Sequence, residues 1–180
     1  ICFIRDQADQ YRRDGPFDNA FDVPFTTLQT GTISGGIAIN TIPSQCEFGF
    51  EYRNLPGVDS APIIERIKDY ATNTLLPRMK SEHAGAAIDF ELLATAPTLD
   101  ASEQAAITQL VRALTGDRDV RKVAYGTEAG LFQQLGIPSV VCGPGSIEDA
   151  HKANEFVTLA QIEQCESFMR KLIRSMSLPA

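Results

Sequence analysis

The chain lacks a long hydrophobic run, an excess of basic residues and a paired-cysteine motif. Each absence removes a class of function. No apolar run approaches the roughly 18 residues that a membrane-spanning helix needs. Lys and Arg number 16 against 23 Asp and Glu, a formal charge of -7. Nucleic acids and anionic membranes bind clustered cations, so neither is expected as the main partner. Small cationic or zwitterionic substrates stay open. The cysteines (Cys2, Cys46, Cys142 and Cys165) are scattered, with no C-x-x-C pair. They read as buried, reduced thiols of a cytoplasmic protein. Also missing are H-E-x-x-H, G-x-S-x-G, a P-loop and G-x-G-x-x-G, which leaves no short catalytic motif to start from.

What is present is an ordinary globular balance. The 180 residues are 43% hydrophobic and 22% charged, enough for one sizeable domain or two small ones. The opening ICFIRDQADQYRRDG has no initiator Met and no helix-start signal, yet Ile1, Ile4, Ala8 and Tyr11 already keep helical spacing. The chain reads as starting inside a helix, as a fragment or processed product would. Gly15-Pro16 ends that helix. Residues 24–34 read as a Thr-rich strand closed by Gly35-Gly36. Residues 45–53 alternate cleanly, with Cys46, Phe48, Phe50 and Tyr52 on one face. A helix is expected over about 60–80, with Ile64, Ile67, Ala71, Leu75 and Met79 as its stripe, and a strand over 87–93. With one further strand in front, this order is β-α-β-β-α-β, the split βαβ arrangement.

A linker is expected from Ala94 to Asp100. Asp100 with Glu103 resembles a capping pair for a helix reaching about 115. Short strands at 120–124 and 138–142 flank a helix from Thr127 to Leu135, and Thr158-x-x-Gln161 is a capping box for a last helix. Strand, helix, strand at this spacing implies a parallel βαβ unit. The fold class is therefore α/β in the broad, α+β sense: residues 1–95 as one domain, 96–180 as another.

In open parallel sheets ligands collect beyond the carboxyl ends of strands. Two loops leave such ends here: Tyr125-Gly126-Thr127-Glu128, and Gly143-Pro144-Gly145 through His151. The glycines allow close backbone approach, and a helix N-terminus near Thr127 favours an anionic group. His151 alone is weak evidence for a metal, because three or four donors are needed and nothing nearby supplies them at helical or strand spacing. Ser146 with His151 lacks an oriented third partner for nucleophilic catalysis. His83, at a helix exit, reads as solvated.

Longer stretches carry more. TGTISGGIAINTIPSQCEFGFEYRNLPG and AYGTEAGLFQQLGIPSVVCGPGSIEDAHKANEFV resemble the acetylornithine deacetylase branch of the aminoacylase and carboxypeptidase-type dinuclear zinc hydrolases. The most specific pieces are G-T-I-x-G-G…N-T-I-P, Y-G-T-E-A-G and G-P-G-S-I-x-x-A-H-K, and the resemblance covers nearly the whole chain.

The resemblance implies that residues 1–95 are a lid and dimerisation domain lacking its first strand, and that 96–180 are the C-terminal part of a catalytic domain. It implies zinc (or cobalt) in the intact enzyme, with His151 as one metal ligand. Asn40 and Arg53 become candidates for binding the substrate or its carboxylate. Gly126, Thr127, Glu128 and Gly143 become pocket residues, with Glu128 facing a cationic side chain such as ornithine's. The substrate would be a small N-acyl amino acid and the assembly a homodimer through the lid. The family's other ligands and its general base have no counterpart in these residues, so no catalytic residue is assigned and the chain alone is expected to be inactive, with no tightly held metal. Two rivals remain: a non-catalytic dimerisation module, and a related desuccinylase or carboxypeptidase.

Overall fold

The computed structural model describes residues 1–119, 122–150 and 152–177. They divide into two compact units, Ile1–Thr95 and Ala96–Ala180.

Unit 1 opens with α1 (Cys2–Asp14), which presents Ile4, 3% exposed, together with Phe3, Ala8 and Tyr11 to the core. Gly15 stops it at φ 75°, and the Gly15 N–H bonds Tyr11 O. Strands β1 (Thr27–Gly35) and β2 (Cys46–Arg53) pair as an antiparallel hairpin. Leu28 stands opposite Tyr52 and Thr30 opposite Phe50. Between Thr30 and Thr32 the register shifts, leaving Gly31 as the extra residue of a bulge. The bulge has a packing consequence. It sets Ile33 opposite Phe48, on the Leu28 face; unbroken alternation would turn Ile33 outward.

A long helix follows in three pieces: α2 (Ala61–Asp69), whose Ile63 and Ile67 cluster with Leu28, a π-helical segment at Tyr70–Leu75, and α3 (Leu76–Glu82). Pro77 accounts for the middle piece. It has no N–H to offer Asn73 O, and its ring crowds that carbonyl, so the ladder widens and Leu76 N–H reaches back to Ala71 O. The core joins Ile4, Leu28, Ile63 and Ile67. Phe3 stacks on Tyr70 at 4.1 Å, and Arg66 Nη2 donates to Tyr11 Oη at 2.6 Å. Ile63, not Ile64, is the most buried residue of the stripe, at 1% exposure. Met79 is 40% exposed, because the wider π turn shifts the phase of everything after it.

Unit 2 holds α4 (Ala106–Thr115), α5 (Ala129–Gln134) and α6 (Leu159–Met176). Helices α4 and α6 are in contact, and Lys171 Nζ donates to Leu114 O at 3.1 Å. The capping box opening α6 is formed: Thr158 Oγ1 accepts from Gln161 N–H at 3.2 Å, and Gln161 Oε1 accepts from Thr158 N–H at 2.9 Å.

The mixed helix-and-strand class is as expected, but the sheet is smaller. Among the described residues the only sheet is the β1–β2 hairpin. Residues 87–93 are not a strand. Residues 138–142 form no strand either. Of 120–124, Val120 and Arg121 lie outside the described residues, and 122–124 carry only a bridge at Lys122. Asp100 and Glu103 do not cap α4, which begins at Ala106 behind Ala105. Both acids have other partners: Asp100 Oδ1 lies 3.7 Å from Lys122 Nζ, and Glu103 Oε2 lies 2.5 Å from Arg112 Nη2. The cysteines are free, but Cys2, Cys46 and Cys142 are exposed and Cys165 is half-buried. Cys2 and Cys46 begin elements at their uncovered ends, and Cys142 follows a segment that pairs with nothing in a sheet.

Candidate functional site

Asn40 lies in the loop between β1 and β2. Gly36 enters that loop at φ 72°, and Gly36 N–H bonds Gln45 O at 3.4 Å. A turn follows, closed by Thr41 N–H on Ala38 O at 3.2 Å, with Ile39 and Asn40 at its corners. Asn40 is exposed. So are its apolar neighbours Ile37, Ile39 and Ile42, at 90%, 105% and 92%.

Arg53 ends β2 at the opposite end of the hairpin. At roughly 3.3 Å per residue, the strand puts Cys46 and Arg53 about 23 Å apart. Unit 1 therefore does not bring Asn40 and Arg53 together. The Arg53 guanidinium forks onto Glu51, Nε to Oε1 at 3.1 Å and Nη2 to Oε2 at 3.4 Å. Gln29, across the register, donates to the same Oε1 at 2.8 Å. Side-chain exposures of 43% and 47% make this a surface pair, worth about 0–1 kcal/mol. The fork fixes the orientation of the planar guanidinium at the hairpin end.

In unit 2, Gly126, Thr127 and Glu128 lead into α5. Thr127 Oγ1 accepts from Ala129 N–H at 3.3 Å, so the first amide of this six-residue helix is already occupied. That bond takes one of the first-turn amides that an anion at this terminus would meet. Glu128 sits at the N-cap position without a side-chain capping bond, and its carboxylate is exposed. Gly143 stands in open space. The parallel strands expected to carry the two loops are not formed among the described residues. His151 lies outside the described residues. Ser146 Oγ accepts from Glu148 N–H at 3.2 Å, a local turn. His83 is exposed at the end of α3, as expected.

Two features near α5 were missed by the sequence reading. A Cβ at Gly130 would fall on Pro97 O, closer than real Cβ atoms ever come, so α5 rests directly on the 97–98 backbone. Gln133 clamps Asp100 with two bonds: Asp100 N–H to Oε1 at 3.0 Å, and Nε2 to Asp100 O at 2.7 Å. A glycine inside a helical pattern is the signal for the first; the second has no local signal. Cys142 has its thiol pKa raised, by burial first, then by nearby Cys165 and Asp117.

Zinc, implied by the resemblance, can be tested against the donors at hand. Among the described residues no three of His, Cys, Asp and Glu come together to hold a metal ion. These residues do not make a metal centre of their own. No helix among them is long and apolar enough to cross a membrane.

Comparison with known proteins gives a consistent answer. Residues 3–79 match the family described as the Peptidase dimerisation domain. The acetylornithine deacetylase of Pasteurella multocida (strain Pm70) is 36% identical over 155 residues, 86% of this chain and 38% of that protein. The acetylornithine deacetylase of Proteus mirabilis (strain HI4320) is 33% identical over 88% of this chain and 39% of its own length. That of Myxococcus xanthus is 30% identical over 87% and 40%. The chain thus spans about two fifths of the length of these curated relatives. Residues 3–79 thus resemble the peptidase dimerisation domain family, and over most of its length the chain is similar to the acetylornithine deacetylases.

Proposed function

We propose that the chain is part of a metal-dependent amide hydrolase that removes the acetyl group from N-acetylornithine, a step of arginine biosynthesis, in the cytoplasm. Water adds across the amide: the C–N bond breaks, the hydroxyl goes to the acetyl carbon and a proton to the leaving amine. The observation that carries this reading is the identity of 30–36% to three acetylornithine deacetylases over 86–88% of the chain. In this reading residues 1–95 act as lid and homodimer contact, supported by the dimerisation-domain match over 3–79. Residues 96–180 are the C-terminal part of the catalytic domain.

The chain's own groups then bind and orient. Arg53 takes the substrate carboxylate, supported by its forked guanidinium at the hairpin end. Asn40 contributes a hydrogen bond from its turn. Gly126, Thr127 and Gly143 line the pocket, and the exposed Glu128 carboxylate meets the cationic side chain. His151 is one ligand of zinc (or cobalt), whose remaining ligands, with the general base, lie beyond the residues described here. Alone, the chain holds no metal tightly and turns nothing over.

The test is acetate release from N-acetylornithine by the whole protein. In that assay Arg53→Ala raises KM roughly 10- to 150-fold, the loss of charged hydrogen bonds worth about 1.5–3 kcal/mol. Elemental analysis of the chain alone is expected to find well below one metal per chain. Metal-dependent turnover by the chain alone, abolished by His151→Ala, would overturn the partial-site reading. Faster hydrolysis of an N-succinyl substrate or a peptide would move the activity to a desuccinylase or carboxypeptidase.

A second reading, a non-catalytic dimerisation module, draws on the dimerisation-domain match over residues 3–79. Supplying the rest of the protein separates the two: a part-enzyme regains metal binding and amidase activity, whereas a module only dimerises.

A further inference from the structure

We draw no further inference here: the strongest candidate, the uncovered apolar patch of Ile33, Ile37, Ile39 and Ile42 at the tip of the β1–β2 hairpin, is an unpartnered face, and nothing in the structure shows what covers it.

Discussion

In Ile1–Thr95 apolar residues close into a core: Ile4, Leu28, Ile63 and Ile67 are all at or below 7% exposure, with Ile63 in the place periodicity gave to Ile64. In Ala96–Ala180, among the described residues, no large apolar side chain is buried. Leu159 is 81% exposed, Ile173 62% and Met176 70%, all on the amphipathic α6. An amphipathic stripe says which face of a helix wants to leave water, not what it is buried against. Unit 1 holds both partners, helices and hairpin. Unit 2 holds helices whose expected strands are not formed among the described residues, and polar contacts stand out in it: the Gln133–Asp100 clamp, the Glu103–Arg112 pair and the Thr158 box.

The contrast can be broken first at Ile63. Ile63→Ala is expected to cost about 2–5 kcal/mol, the range for deleting a buried aliphatic side chain. Urea unfolding followed by tyrosine fluorescence reads it, since Tyr11, Tyr52 and Tyr70 surround this core. A loss under 1 kcal/mol would mean that unit 1 is no better closed than unit 2.

The next test is Gly130→Ala. Overpacking against the Pro97 carbonyl is expected to cost about 1–3 kcal/mol and to release α5 from the 97–100 segment. Faster amide exchange at Asp100, with unit 1 amides unchanged, is the expected result. Unchanged exchange at Asp100 would show that α5 is not seated on that backbone.

Thr158→Ala should cost about 1 kcal/mol, the usual value of an N-cap. In unit 2, where little packing holds α6, that loss should appear as fraying of its first turn in far-UV circular dichroism and amide exchange. Full retention of the turn would argue that α6 is held by packing instead.

The smallest effect is at Cys142. Its raised pKa disfavours the thiolate, so alkylation should accelerate only at pH values above the ordinary thiol range. Cys165→Ser removes one of the neighbouring influences and should shift that profile slightly downward. A profile at or below the free-thiol range would contradict the partial desolvation of the sulfur.

Several elements were legible from sequence because their signals are local. The α1 stripe, the alternation of 46–53 and the Thr158–Gln161 box each involve residues within a few positions, and each is formed. The helix over 60–80 was also legible, but not the π turn that Pro77 forces into it, which moved Met79 off the stripe. Residues 87–93 and 138–142 have strand-like composition and are not strands; pairing is a property of two segments, and composition describes one. The candidate site divides the same way. Thr127 and Glu128 were rightly located before a short helix, but which group fills its first amide depended on geometry. Asn40 and Arg53 share one hairpin, and only the register puts them at its two ends.

By itself the sequence determined α1, the start of α6, the hairpin strands and the similarity to acetylornithine deacetylases, because these rest on short-range periodicity and on motifs read in order. Tertiary structure decided the Gly31 bulge that turns Ile33 toward Phe48, the burial of Ile63 over Ile64, and the Gln133 clamp on Asp100. Each depends on the distance between segments far apart in the chain, which packing sets and local spacing cannot encode.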